Sequence, residues 1–110
     1  MADERTVEWE GKSGTKYTYW ISPLGATMKA EPGNYIFARE GPPNNFEPVY
    51  IGETGDLNDR LNVNPHEKMP CIQENGATHI HTHINSAGEV TRKAEETDLK
   101  ERWKTPCNLD

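Results

Sequence analysis

The chain has 110 residues, enough for one domain with a single modest core and too few for two. Eighteen acidic residues against twelve basic ones give a net charge of -6, the wrong sign for gripping nucleic acid by bulk electrostatics. Apolar runs are too short to cross a membrane, and the first residues lack the apolar segment of a secretory signal. We therefore expect a soluble cytoplasmic protein without membrane contact. Cys71 and Cys107 should be reduced thiols, with a disulfide as the less favoured alternative.

The first 32 residues predict a β-hairpin followed by a connector. Residues 5 to 10 and 16 to 21 alternate polar with apolar or aromatic side chains, and a Gly-Lys-Ser-Gly turn separates them. This alternation is typical of half-buried strands, and the turn residues indicate a hairpin. Proline and glycine residues then indicate a connector. We expect residues 1 to 32 to be an extension of a domain that spans residues 33 to 110.

A second hairpin is predicted to bring two tyrosines together. The runs at 33 to 39 and 48 to 52 are rich in strand-forming residues, and glycines, prolines and asparagines lie between them. Such a pattern predicts an antiparallel hairpin with a long loop. Tyr35 lies in the first run and Tyr50 in the second, so the hairpin places the two phenols near each other.

Residues 56 to 62 predict a helix that carries an arginine towards these phenols. Leu57 and Leu61 repeat at i, i+4, and Arg60 lies one position off that apolar stripe. The planar fork of arginine donors matches phosphate oxygens, and a phenol can accept a proton from an attacking water. Two tyrosines facing Arg60 therefore indicate a phosphate site. Taken alone, Arg60 would pair with its i-4 neighbour, Asp56.

The remaining residues predict a kinked helix, a strand and a longer helix. Asn64 and Pro65 are typical of a helix start, and Pro70 is expected to kink or interrupt that helix before it ends at Asn75 and Gly76. The strictly alternating run 77 to 84 predicts a strand. The run 91 to 103, rich in Lys, Glu, Arg and Ala, predicts the best helix of the chain. The fold class is therefore α+β, with a three-stranded antiparallel sheet, flanking helices and an added N-terminal hairpin.

A row of histidines offers a second kind of site. His79, His81 and His83 lie on one face of the predicted strand, while Ile80 and Ile84 lie on the other. Two of the imidazoles can share a zinc ion, whereas three would need the strand to bend. The alternatives are an ordinary polar face of the sheet and a surface that contacts phosphate or DNA.

Five motifs in chain order resemble the GIY-YIG nuclease family and cover about residues 33 to 108. They are Gly33-Asn34-Tyr35, Tyr50-Ile51-Gly52, Arg60, Glu96-Thr97-Asp98-Leu99 and Pro106-Cys107-Asn108. Two departures stand out. The first motif reads Gly-Asn-Tyr where the family has Gly-Ile-Tyr. A histidine found in many members four residues after the arginine is Asn64 here, with His66 two residues later.

The resemblance implies a GIY-YIG-like sheet and hydrolysis of DNA phosphodiester bonds with one divalent ion, Mg²⁺ or Mn²⁺. Tyr35 would act as general base or orient the attacking water, with Tyr50 beside it. Arg60 would stabilise the charge that develops on the phosphate, Glu96 would hold the metal ion, and Asn108 would brace the site. His66 and His81 are possible additional site residues.

Two further expectations concern partners and alternatives. A double-strand break would need a second protomer or a partner protein, so a homodimer or a complex is possible. The alternatives to a nuclease are a non-catalytic or substrate-restricted nucleic-acid-binding domain on the same scaffold and a zinc protein centred on His79, His81 and His83.

Overall fold

The protein folds around one antiparallel sheet. The structure is a computed structural model and describes residues 5–42, 45–63 and 65–108. Its strands are β1 (Thr6–Glu10), β2 (Lys16–Pro23), β3 (Gly33–Gly41), β4 (Asn45–Thr54) and β5 (His79–Ile84). Its helices are α1 (Met69–Glu74) and α2 (Glu89–Arg102), with a π-helical turn at Asp59–Val63. Among the described residues, no helix combines the length and apolar character needed to cross a membrane.

The N-terminal hairpin extends the sheet. The strand order is β1-β2-β5-β3-β4, and all neighbours are antiparallel. β2 pairs with β5, so that Ile21 lies opposite His81. The α+β class and the antiparallel sheet are confirmed, but the sheet has five strands because the hairpin adds two to the predicted three. The domain boundary at residue 32 stays a prediction.

The sheet has a core on each face, and β3 contributes to both because successive side chains of a strand point to opposite faces. One core lies beneath α1 and the π-helical turn, and the other lies beneath α2. The first contains Met28, Tyr35, Phe37, Val49, Leu57, Ile72, Ile80 and Cys107. The second contains Trp9, Tyr19, Ile36, Ala38, Ile51 and Leu99. Tyr35 and Ile36 are therefore both buried, although they face opposite ways.

The hairpin also anchors α2, a role that its sequence did not indicate. Asp98 on α2 accepts hydrogen bonds from the Ser13 backbone N–H at 2.8 Å and from the Tyr17 hydroxyl at 2.7 Å. Burial, together with the bond to this carboxylate, raises the pKa of Tyr17 to about 12. Farther along, the Tyr19 hydroxyl donates to Glu95 at 2.6 Å. The hairpin thus fixes the helix that carries Glu96.

Pro70 begins a helix and does not interrupt one. It stands in the first turn of α1, where no helical hydrogen bond from its nitrogen is required. The helix ends where predicted, with Asn75 as its last cap and Gly76 at φ +75°. The predicted cap, Asn64, lies outside the described residues, but Pro65 is not helical and α1 begins at Met69, so the predicted start is wrong.

Cys71 and Cys107 form a disulfide, so the expectation of free thiols is wrong. Their Cα atoms lie 5.8 Å apart, within the range that a disulfide spans. The fold creates this proximity between α1 and the C-terminal segment, which the sequence separation of 36 did not reveal. The bond ties the C-terminal segment to the body of the domain.

Candidate active site

The ring of Tyr35 crosses over Gly52 on the edge strand. The two residues are opposite each other in the β3–β4 pairing. A Cβ atom at position 52 would lie 2.5 Å from Cζ and 2.6 Å from the hydroxyl oxygen of Tyr35, closer than real Cβ contacts. Glycine is therefore required for the phenol to lie across β4, at the edge of the sheet.

Two nitrogen donors converge on the Tyr35 hydroxyl oxygen. Nε of Arg60 donates to it at 3.2 Å, and Nε2 of His66 lies 2.9 Å from it. The Lys68 backbone N–H donates to Nδ1 of His66 at 3.1 Å, so the proton of the neutral ring is on Nε2. Nε2 is consequently a donor to Tyr35. The phenol oxygen accepts two hydrogen bonds, and a further hydrogen bond with Tyr50 contributes to the raised pKa of Tyr35.

Tyr35 and His66 are both neutral at pH 7, and burial moves the pKa of each further from that pH. Burial raises the pKa of Tyr35, with the nearby Tyr50 adding to the rise and Arg60 opposing it. Burial and the positive charge of Arg60 lower the pKa of His66 to about 4. Tyr35 is therefore a phenol and His66 a neutral imidazole, in agreement with the hydrogen-bond pattern.

Tyr50 packs beside Tyr35 and His66. Its ring lies 6.1 Å from that of Tyr35 in a stacked arrangement and 4.9 Å from that of His66 edge-on. Burial raises the pKa of Tyr50, Arg60 lowers it, and the carboxylates of Glu67 and Glu96 raise it. Tyr50 thus lies within electrostatic reach of both the predicted phosphate-binding arginine and the predicted metal ligand.

Glu96 is on α2, which covers the face of the sheet opposite Tyr35, and its neighbours carry charges of both signs. Burial raises its pKa, and so does the charge of Glu53 on β4, while Lys100 at 3.6 Å opposes the shift. Glu53 itself pairs with Nε of the buried Arg92 at 3.2 Å. The Glu96 side chain remains 20% exposed. It is an oxygen ligand that a cation can reach and whose unfavourable electrostatics a cation would relieve.

Asn108 braces the outer edge of β4. Its Oδ1 accepts the Ile51 N–H at 2.7 Å, and its Nδ2 donates to the Ile51 carbonyl at 2.9 Å. The Thr105 hydroxyl also donates to Oδ1. These bonds hold the Asn108 side-chain amide against the backbone of Ile51, between Tyr50 and Gly52. Asn108 therefore positions the strand that carries the site.

Glu67 holds Arg60, a contact that sequence reasoning missed. Nη1 and Nη2 of Arg60 donate to the two carboxylate oxygens of Glu67, each at 2.7 Å. The expected pair with Asp56 is not formed, because Oδ1 of Asp56 accepts the Asp59 N–H at 3.0 Å. The bidentate bond to Arg60 lowers the pKa of Glu67 to about 2. No motif signals this residue, since its partner lies seven positions away across a turn.

The histidine row lies on the α2 face of the sheet, opposite Tyr35. Trp9 Nε1 donates to Nδ1 of His81 at 3.0 Å, so the proton of His81 is on Nε2 and that nitrogen has no lone pair for a metal. His79 Nδ1 lies 2.8 Å from the Thr78 hydroxyl. The described part of the chain holds no group of three His, Cys, Asp or Glu side chains placed to bind a metal ion. Zinc binding stays a prediction. The protonated Nε2 of His81 and the lack of a ligand group among the described residues argue against it.

His83 belongs to a buried network that the sequence did not indicate. Its Nδ1 lies 2.9 Å from Oε2 of Glu95, the same oxygen that accepts the Tyr19 hydroxyl. The carboxylate raises the pKa of His83 against the opposing effect of burial. Glu95 is 4% exposed and carries the contact between α2, β2 and β5. Its neighbour in sequence, Glu96, is also on α2 and reaches the candidate site through the effect of its charge on Tyr50.

The structure brings Tyr35, Tyr50, Arg60 and His66 into contact, with Glu96 within electrostatic reach. Asn108 acts through the backbone of β4, and His81 lies on the other face. Comparisons of the chain with family models, with curated proteins and with solved structures find no match.

Proposed function

We propose that the chain is a metal-dependent DNA endonuclease of GIY-YIG type. The observation that carries the proposal is the convergence of Arg60 Nε and His66 Nε2 on the hydroxyl oxygen of Tyr35, above Gly52. These donors come from positions 25 and 31 residues away from the tyrosine. A positively charged fork beside an ordered hydroxyl is the arrangement that phosphoryl chemistry uses.

The protonation states favour an orienting role for Tyr35. A phenol with a raised pKa is a poor proton acceptor at pH 7, and both hydrogen bonds from Arg60 and His66 leave its own proton pointing elsewhere. Tyr35 then donates to the attacking water or to a phosphate oxygen and fixes its position. Arg60, whose pKa is raised by its bond to Glu67, keeps a positive charge that stabilises the negative charge developing on the phosphate.

Glu96 is the residue that would hold Mg²⁺ or Mn²⁺. The carboxylate is a hard oxygen ligand, and such ions are usually held by one or two carboxylates together with water and substrate oxygens. Its raised pKa fits this role, because a bound cation would stabilise the charged carboxylate against the effects of burial and of the Glu53 charge. When bound, the metal ion would polarise a phosphate oxygen and lower the pKa of a bound water.

Cleavage of supercoiled plasmid and of branched DNA in the presence of Mg²⁺ or Mn²⁺ tests this function. We expect the wild-type protein to cut and the Tyr35→Phe and Glu96→Ala variants to lose about 100-fold or more in rate. Glu101→Ala is the matched control for the glutamate, because this side chain is exposed at the end of α2, and the variant should keep the wild-type rate. Retained cleavage in both site variants, or none by the wild-type protein, would overturn the proposal.

A second candidate is a nucleic-acid-binding domain that keeps the scaffold without turnover. It is favoured by the filled fork of Arg60, because both terminal nitrogens of that arginine are already bound to Glu67. Salt-dependent binding of DNA by the wild-type protein, with no cleavage under any of the metal conditions, would select this candidate.

A further inference from the structure

All three nitrogen atoms of the Arg60 guanidinium have partners within the chain. Nε is bound to Tyr35, while Nη1 and Nη2 are bound to Glu67. The Nη1–Nη2 fork is the part of an arginine that binds two oxygens of one phosphate. In this structure the fork is filled by a carboxylate.

Glu67 presents the geometry of a phosphate to this fork. Its two oxygens each lie 2.7 Å from one terminal nitrogen, which is the parallel two-bond arrangement that carboxylates and phosphates share. A phosphodiester and Glu67 therefore compete for the same donors. Both cannot occupy the fork at once.

The exposure of the two side chains indicates which of them moves. The Arg60 side chain is 27% exposed and is fixed by the bond between its Nε and Tyr35. The Glu67 side chain is 63% exposed and belongs to the turn before α1. Displacing Glu67 disturbs little buried surface, whereas displacing Arg60 would break the hydrogen bond to Tyr35.

We propose that Glu67 is a carboxylate latch that occupies the substrate-phosphate position on Arg60 and must be displaced before a phosphodiester binds there. The latch rests on the proposed function, because it regulates that same site. Glu67 acts through Arg60 and is a positioning residue. Its pKa of about 2 keeps the carboxylate charged at physiological pH, so a competing anion, and not acidification, opens the latch.

Titration with inorganic phosphate tests the latch directly. The readout is the NMR resonance of the Arg60 Nε–H, assigned by its loss in Arg60→Lys. We expect Glu67→Gln to bind phosphate at Arg60 roughly five- to tenfold more tightly than wild type, the factor expected when a competing ion pair is removed. Glu67→Asp, with a shorter arm, should fall between the two proteins. Glu74→Gln, which removes the same charge from an exposed position on α1, should stay within about twofold of wild type.

DNA cleavage gives the second readout. The latch predicts that Glu67→Gln lowers KM for DNA and leaves kcat close to wild type, because only entry of the phosphate is eased. Equal phosphate binding by Glu67→Gln and Glu74→Gln, or weaker binding by Glu67→Gln, would overturn the latch. Tighter phosphate binding by Glu67→Gln without cleavage by any protein would support the latch and overturn the nuclease.

Discussion

The Tyr35 phenol lies against the backbone of Gly52, at a distance that leaves no room for a side chain. This contact sets the position of the hydroxyl that Arg60 and His66 share. Glycine in the interior of a strand lowers stability, and Gly52 is explained by the close approach of the Tyr35 ring.

Gly52→Ala should displace the tyrosine. A methyl group 2.5 Å from Cζ forces the buried ring to move, which we expect to cost about 1–3 kcal/mol of unfolding free energy and to lower DNA cleavage strongly. Urea denaturation and plasmid cleavage measure the two effects. Gly55→Ala is the matched control, because its added Cβ would meet Arg92 only at 3.9 Å. Equal stability and activity of the two variants would contradict this account.

Asn108→Ala should loosen the edge of β4. It removes both hydrogen bonds to Ile51, and each such bond contributes about 1 kcal/mol. We expect a loss of about 2 kcal/mol in urea denaturation and faster hydrogen exchange at the Ile51 N–H. Asn108→Asp keeps the acceptor for that N–H and loses the donor, so its exchange should be slower than in the alanine variant. Unchanged exchange in Asn108→Ala would exclude the bracing role.

Reduction of the disulfide should destabilise the protein. A bond between residues 36 positions apart restricts the unfolded chain, with an expected contribution of about 4 kcal/mol. The check is the urea midpoint with and without a reductant. A Cys71→Ser, Cys107→Ser double variant should have the urea midpoint of the reduced protein, and the reductant should not change that midpoint. Full labelling of both thiols in the native protein without reductant would show that the bond is absent.

Acid should destabilise the fold through two histidines. The pKa values of His66 and His81 fall from 6.5 in the unfolded chain to about 4 and about 3 in the fold, with burial as the main cause. The unfolded chain therefore binds more protons below pH 6.5. Stability from these groups is present above that pH and is lost as pH falls towards 4, by about 1.4 kcal/mol per pH unit for each histidine.

The measurement is the unfolding free energy by urea from pH 7 to pH 4. His81→Asn keeps an acceptor for the Trp9 indole and removes one titrating group, so the slope should fall by about 1.4 kcal/mol per pH unit. His83 acts in the opposite sense, because its raised pKa gives stability below pH 6.5 that is lost as pH rises through the folded value. An unchanged slope in His81→Asn would rule out its part in acid sensitivity.

Local patterns were sufficient to predict most strands and the main helix. Alternation identified β1, β2 and β5, runs of strand-forming residues identified β3 and β4, and the run without glycine or proline identified α2, because these signals lie within a few neighbouring residues. The pairing of Ile21 with His81 joins residues sixty positions apart, and no local pattern carries that information. The addition of β1 and β2 to the sheet therefore could not be predicted from the sequence.

The candidate site was predictable where a motif fixed the spacing. Tyr35, Tyr50 and Arg60 come together as expected, and His66 joins them although it lies two positions beyond the motif histidine. Glu67 and Glu95 were not predicted as site or network residues, because nothing in the local sequence shows which side chains they contact in the fold. The histidine row was also misleading, because it faces α2: His81 is buried and bonded to Trp9, and His83 is bonded to Glu95.

The Asn108 clasp has a consequence for how copies of this chain can assemble. Asn108 and the Cys107 N–H occupy the outward backbone groups of Ile51 and Val49, which an edge strand would otherwise offer to a neighbouring chain. Strand addition at β4 would therefore require the C-terminal segment to leave, and the disulfide tethers that segment to α1. A dimer that forms without opening the disulfide must therefore pair through side chains or through the backbone of the β1 edge.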